Sequence, residues 1–478
     1  MTYLIQPFNW RIVWKYVVLL MIPLGIAAIV PLVYALLLKD WYLSFCFLLC
    51  SIIVYIVSKY LRSNIPEQTF KYREGLVIVA VCYPIGAGIA AIPFILDSDI
   101  SWIDAFFEAM SGVTTTGFTM LQPESLAPPL VLWRAIIQWI GGIGFILMFV
   151  GFLVSAGSPM AKLFVPETQQ ERIPLTLEKI ASVIMRIYIF FTLLGVLLLF
   201  FSGMTLFDAF CFAMSAISTG GFSPYNDSAI PYPSANVKLV LIFLMIVGAI
   251  HFTLIYKSIY TLKSPHKCIK RLIFNPQLFT LISSLTLVFI IVYLYNGSAQ
   301  NLNLFFTIVS AHTNTGFSVG VALTSLPFFM SLLIPIMFVG GCIASTTGGI
   351  KIFRALIAFQ VLYRIILKPF LIREEITLST FNSERLNEDD IRKIMSLILL
   401  QGGLIFIATM IFVGYGFDFF SAFFDMTSAL STVGLTSGIV DPSLPTSLKF
   451  LLILLMWMGR VEIFPVFILC YAIFRKGI

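Results

Sequence analysis

Apolar runs and short polar connections alternate along almost the whole chain. Runs of about 20 residues occur at Val17–Leu38, Tyr42–Ser58, Gly75–Leu96, Val131–Ala156, Ile180–Phe201, Leu239–Ile259, Gln277–Tyr295, Pro327–Ile350, Met395–Val413 and Leu451–Phe474. As helices they are long enough to cross a bilayer, so the pattern predicts ten crossings. Four further stretches sit in the connections: DAFFEAMSGVTTTGFT (104–119), DAFCFAMSAISTGGFS (208–223), NLFFTIVSAHTNTGFS (303–318) and SAFFDMTSALSTVGLT (421–436). They align without gaps. The first column is Asp104, Asp208, Asn303 and Ser421, residue types that cap helix N-termini, and it is read as the N-cap. The third column is Phe106, Phe210, Phe305 and Phe423, the eighth Ser111, Ser215, Ser310 and Ser428, and the fourteenth Gly117, Gly221, Gly316 and Gly434. Each stretch predicts a helix of about ten residues, roughly 15 Å, too short to span, followed by a turn that brings the chain back.

With 59% of residues hydrophobic and 11% charged, the chain excludes an ordinary soluble domain. The net charge of +7 is not spread as a nucleic-acid surface would need. Segments 97–130, 203–237, 296–330 and 415–448 hold no Lys or Arg, whereas the alternate connections carry Lys59, Arg62, Lys71 and Arg73, then Lys162, Arg172 and Lys179, then Lys257 to Arg271, then Lys351 to Lys393. This is the positive-inside distribution, with both termini cytoplasmic and all four short stretches outside; Lys39 is the exception. The seven cysteines lie mostly in apolar runs without CxxC spacing and read as buried thiols. The N-terminus does not read as a cleavable signal.

The repeating unit is helix, re-entrant segment, helix. The expected fold is an all-α polytopic membrane protein with four helix–pore loop–helix repeats in pseudo-fourfold arrangement plus an N-terminal two-helix hairpin. The expected boundaries are 1–74 for the hairpin and 75–176, 177–272, 273–376 and 377–478 for the repeats. The cytoplasmic stretch Lys368–Lys393 reads as a solvated linker or a docking surface for a cytosolic partner.

Backbone left non-helical at membrane depth is tolerated where it is buried or lines a water-filled cavity. Four pore-helix C-termini, each with partial negative charge, favour a cation where they converge. Carbonyls turned inward from an extended run replace an ion's hydration shell, and glycine permits the dihedrals this needs. The candidate filter is therefore Thr115, Thr116, Gly117 and Phe118; Thr219, Gly220, Gly221 and Phe222; Asn314, Thr315, Gly316 and Phe317; and Thr432, Val433, Gly434 and Leu435. The last residue of each set wedges its loop against the surrounding helices. His312 and Asn314 break the pattern of the third copy and are read as packing or filter asymmetry. The ion implied is held by backbone carbonyls.

On these loops, and on Trp133, Arg134, QWIGGIG at 138–144, GGCIASTTGGIK at 340–351 and GRVEIF at 459–464, the chain resembles the Trk/Ktr/HKT superfamily of potassium transporters, in particular its TrkH-type membrane subunits. The resemblance covers essentially the whole length. It implies potassium as the transported ion with no covalently bound cofactor, and a homodimer with one pathway per subunit in a bacterial inner membrane. It also implies a cytosolic ring of TrkA-type regulatory subunits that bind nucleotide. A glycine in all four loops goes with potassium preference in the family. The family's intramembrane gate corresponds to Gly340, Gly341, Ala344, Ser345, Thr346, Thr347, Gly348 and Gly349, with Arg460 beneath the filter.

From the residues alone, Gly340–Gly349 reads as an unwound loop or as a close helix crossing through small residues. Arg460 falls in mid-run, where a charge must face the pore or a partner, and Glu462 is off its helical face. A carrier coupled to protons or sodium is the alternative to a gated pore; Arg460, Glu462 and His251 are the ionisable candidates for it. An intramembrane enzyme lacks a motif.

Overall fold

The computed structural model describes residues 8–64, 72–97, 100–155, 177–252, 254–255, 275–296, 301–370, 380–381, 384–385 and 388–474. The basic connections 157–176 and 257–274, and Arg475 and Lys476, lie outside them. Among the described residues the regular structure is helical apart from an antiparallel pairing of Thr380–Phe381 with Glu384–Arg385. Helices α1 (Trp10–Ala27), α2 (Ile29–Leu37) and α3 (Trp41–Asn64) form the N-terminal hairpin. Then come α4 (Tyr72–Asp97), α5 (Trp102–Val113), α6 (Pro128–Ser155), α7 (Leu177–Phe201), α8 (Leu206–Ile217), α9 (Ala235–Ala249), α10 (Pro276–Asn296) and α11 (Asn301–His312). The rest are α12 (Pro327–Val339), α13 (Ile352–Leu367), α14 (Glu388–Gly414), α15 (Phe419–Leu430), α16 (Thr446–Arg460) and α17 (Phe464–Phe474).

The four short helices α5, α8, α11 and α15 each have 12 residues. Each packs between the helix before it and the helix after it. Each following helix also packs on the next short helix: α6 on α8, α9 on α11, α12 on α15, and α16 back on α5. The contacts close a ring in chain order, with the short helices inside. The hairpin leans on α4 and α6, and α17 packs on α4.

Two readings of the sequence are corrected here. The caps lie three residues earlier than expected: Ser101, Thr205 and Asp418 have extended backbone and accept the N–H of Asp104, Asp208 and Ser421. Asp104 and Asp208 instead take the third helical position of a capping box, accepting the cap hydroxyl at 2.6 and 2.7 Å. In the third copy α11 already begins at Asn301, so Asn303 lies inside it. Exposed Asp418 has its carboxyl held below the usual carboxylate range by the Ser421 backbone N–H. The second correction concerns length. Among the described residues, seven helices are long and apolar enough to span, and the runs Leu239–Ile259, Pro327–Ile350 and Leu451–Phe474 are not single helices. They stop at Ala249, Val339 and Arg460, and α16 and α17 meet at 111°. Arg460 is therefore the last residue of a helix, not its middle.

Candidate ion filter and gate

The four aligned loops fold alike. Thr115, Thr219, Asn314 and Thr432 have φ of 51–54°, and Gly117, Gly221, Gly316 and Gly434 have φ of 80–94°. The N–H of the residue before each glycine returns to the column-eight serine: Thr116, Gly220 and Thr315 to Ser111, Ser215 and Ser310 carbonyls at 2.9 Å, and Val433 to Ser428 at 2.8 Å. A trans peptide points its N–H and C=O in opposite directions. The carbonyls of Thr115, Thr219, Asn314 and Thr432 therefore face away from the pore helices. In the first and fourth copies the next amide does the same, Gly117 and Gly434 N–H each donating to a serine Oγ at 3.1 Å.

The loops meet in a ring. A β-carbon added to Gly117 would lie 2.3 Å from the Gly220 carbonyl oxygen. At Gly221 it would lie 2.1 Å from that of Thr315, at Gly316 2.1 Å from Val433, and at Gly434 2.1 Å from Thr116. The sequence of contacts runs from first copy to second, third, fourth and back to the first. Behind it Phe118, Phe222, Phe317 and Leu435 are buried, at 0–3% exposure. The third-column phenylalanines are less enclosed, with Phe210 37% exposed, whereas the second and fourth columns are buried at 0–4% and the sixth and eighth at 0% throughout.

The second copy departs in one respect. Gln138 on α6 donates to the Gly220 carbonyl at 2.6 Å and accepts from Ser215 Oγ and Phe222 N–H at 2.8 and 3.2 Å. That carbonyl is shared with a fixed donor. In the third copy Asn314 Nδ2 donates to the Met337 and Ser431 carbonyls, tying α12 to the fourth loop. His312 Nε2 bonds Ser284 Oγ at 2.6 Å, a packing role.

Three features escaped the sequence reading. One is the fifth motif column: Glu108, Phe212, Thr307 and Asp425. Glu108 accepts from Thr119 Oγ1 and Met120 N–H, and Asp425 from Thr436 Oγ1 and Ser437 N–H, so both carboxylates clamp the strand leaving the loop. Glu108 also pairs with Arg134 at 2.7 Å, whose guanidinium donates to Ser223 O and covers the Phe222 ring. A second is the pair Lys238 and Lys449, which reach Asn303 and Asp104 on the next pore helix at 2.8 and 2.6 Å. The third is a glycine column on the second helices: Gly141, Gly248 and Gly459 press against the carbonyls of Val113, Ile217 and Leu430, the last residues of three pore helices. Aligning QWIGG, MIVGA, FVGG and MWMGR would have disclosed it.

Residues 340–351 are non-helical and buried from Gly340 to Gly348, with Cys342 to Thr347 at 0–2% exposure. This excludes the helix-crossing reading. Cys342 and Thr346 N–H donate to Ala249 and Gly248 carbonyls at 3.0 and 3.1 Å. Thr346 Oγ1 also reaches Gly248 O, and Thr219 Oγ1 bonds to it. Ser345 bonds Thr347, and Thr347 accepts from Gly341 N–H, folding the loop on itself. Ala344 takes φ of 51°, and a β-carbon on Gly348 would lie 2.1 Å from Thr432 Oγ1. Gly349 leads to Lys351, whose ammonium bonds the Thr347 carbonyl. Arg460 donates to Thr346 O at 2.6 Å and to Gly141 and Gly142 O at 3.0 and 3.5 Å. Glu462, off that face, instead meets Arg354 of α13 at 2.5 Å. Thus the loop from the third unit touches the second and fourth, and Arg460 carries the contact to the first.

A ring of re-entrant loops within spanning helices defines a polytopic membrane protein of the pore-loop class. The chain belongs to the TrkH family of cation transport proteins, whose pattern matches residues 43–476. It is 33% identical over 428 residues to an uncharacterized cation transporter of Methanocaldococcus jannaschii, covering 87% of this chain and 86% of that one. It is 31% identical over 416 residues to the Trk system potassium uptake protein TrkH of Escherichia coli K12, covering 84% and 85%. The fold superposes on the crystal structure of the potassium transporter TrkH from Vibrio parahaemolyticus with a TM-score of 0.84 at 24% identity, over 97% and 98% of the two chains.

Proposed function

We propose that this chain is a potassium-selective, gated pore for uptake across a bacterial inner membrane. The four loops form the filter, and Gly340–Gly349 with Arg460 form the gate. The observation that carries this reading is the closed cycle of glycine-to-carbonyl contacts, because only loops around one axis contact each other in such an order. Potassium enters from the names of the relatives and from glycine at all four ring positions. The membrane potential supplies about 2.3 kcal/mol per charge per 100 mV, which drives uptake without a coupled ion. The gate reading is supported by a buried loop that reaches the second and fourth units and by a guanidinium, fixed beside it, that links it to the first. The hairpin (1–74) and the four repeats (75–176, 177–272, 273–376 and 377–478) belong to the same proposal; α4 begins at Tyr72, three residues before the first repeat boundary. Cytoplasmic termini, a homodimer and TrkA-type nucleotide-binding partners belong to the same proposal.

The test is ion flux through purified protein in liposomes, with rubidium, potassium, sodium and lithium gradients. Rubidium and potassium should pass and sodium and lithium should be rejected. Gly117→Ser adds a side chain 2.3 Å from the Gly220 carbonyl, at a φ of 94°. It should admit sodium and lower the potassium preference at least tenfold. An unchanged preference in the folded variant would remove this loop from the filter.

A further inference from the structure

A cavity of about 500 Å³ lies between α1, α4 and α6, away from the filter axis. Its lining is almost wholly apolar. At its inner end stand Tyr83, Val113 and Gly141. Val113 ends a pore helix, and Gly141 supplies a carbonyl to Arg460. Tyr83 is 4% exposed and close enough to Arg460 for the two to interact electrostatically. The cavity thus reaches to within one side chain of the gate arginine. At its outer edge are Leu20, 39% exposed, and Pro23, on the surface of α1. Met185 of α7 completes the rim, followed at once by exposed Arg186. By the charge distribution, this end of α7 is the cytoplasmic one.

We propose that this cavity binds one acyl chain of an anionic phospholipid from the cytoplasmic leaflet. The volume falls in the range of lipophilic ligand sites, and the walls offer an entering chain almost entirely apolar contact. The bilayer is the solvent at the rim, so the chain enters from lipid without crossing water. Arg186 supplies the complementary charge for the headgroup, as basic residues at a membrane surface do for anionic lipids. A chain seated there packs behind Gly141 and holds α6 against the pore helix, which steadies the two α6 carbonyls, Gly141 and Gly142, that receive Arg460. That effect on the gate rests on the function proposed above; the binding does not.

The experiment uses the full-length protein in vesicles of phosphatidylglycerol carrying a diazirine near the end of one acyl chain. After irradiation, labelled peptides are mapped by mass spectrometry. Label on the inner walls, at Tyr83 and the Gly141–Met148 stretch, is expected. Phosphatidylcholine with the same chain should label them at least threefold less. Gly144→Leu fills the cavity, since a β-carbon there meets only Met148 Cε at 3.8 Å, and should cut inner-wall labelling at least fivefold. Gly88→Leu, whose β-carbon meets nothing within 4 Å, should leave it unchanged. Label confined to the outer face of α1 in the unaltered protein would overturn the proposal, as would full inner-wall labelling of folded Gly144→Leu. Rubidium flux is read on the same vesicles: absent labelling with intact flux sinks this inference alone, and absent flux with intact labelling sinks only the transport reading.

Discussion

At the scale of single residues, the two clamping carboxylates differ in what a neutral substitution would leave behind. Glu108 and Arg134 form a buried ion pair, at 0% and 2% exposure, with Arg134 also stacked on Phe222. Glu108→Gln leaves the guanidinium buried without its counter-charge, a change that destabilises by about 3–5 kcal/mol in comparable buried pairs. Asp425 is held by neutral donors instead, accepting from Thr436 Oγ1 and Ser437 N–H at 2.7 Å. Asp425→Asn keeps one acceptor oxygen and should cost about 1.5–3 kcal/mol, the range for hydrogen bonds to a charged group. Thermal unfolding in detergent should therefore show Glu108→Gln melting below Asp425→Asn. The reverse order would mean that Arg134 is held chiefly by Ser223 and Phe222.

At the scale of elements, the glycine column limits how closely second helices approach the pore helices. A β-carbon on Gly459 would sit 1.9 Å from the Leu430 carbonyl oxygen, so α16 must move away from α15 to admit one. Gly459→Ala should lower the melting temperature and the yield of folded protein, whereas Gly88→Ala on α4, with open space at its β-carbon, should do neither. If both variants melt alike, the close approach is not a constraint. The four pore helices and the turns after them were legible because their columns repeat. The glycine at the fourteenth position has one structural use, a positive φ against the next loop, whereas the serine hydroxyl at the eighth bonds the loop in three copies and Gln138 in the second. The caps were not, because aspartate suits both the cap and the third position of a capping box. The breaks at Ala249 and Arg460 were hidden for another reason. The apolar run continues past both, and Glu462 and Ile463 take φ of 66° and 62° without a glycine to announce the turn. Such backbone is held by tertiary contacts, here Arg354 on Glu462.

At the scale of the whole molecule, two rings share one order. Second helices pack on the next pore helices, and loop glycines meet the next loop's carbonyls, both returning to the first unit after the fourth. Among the described residues only the third unit breaks the symmetry by sending 340–351 inward, and only the fourth carries a charge where its counterparts have Gly142, Ala249 and Gly341. The asymmetric parts meet: Arg460 of one donates to Thr346 of the other at 2.6 Å. If this charge-assisted bond holds the loop closed, Arg460→Ala removes about 1.5–3 kcal/mol from the closed state. That is roughly a 10- to 150-fold shift towards open protein, at 1.4 kcal/mol per factor of ten. Basal rubidium flux in liposomes should rise accordingly, while selectivity over sodium, which the proposed function assigns to the carbonyl ring, stays unchanged. Flux that rises together with loss of selectivity would assign Arg460 to the filter's support, and unchanged flux in a folded variant would leave the closed state to the loop's own bonds with Gly248 and Ala249.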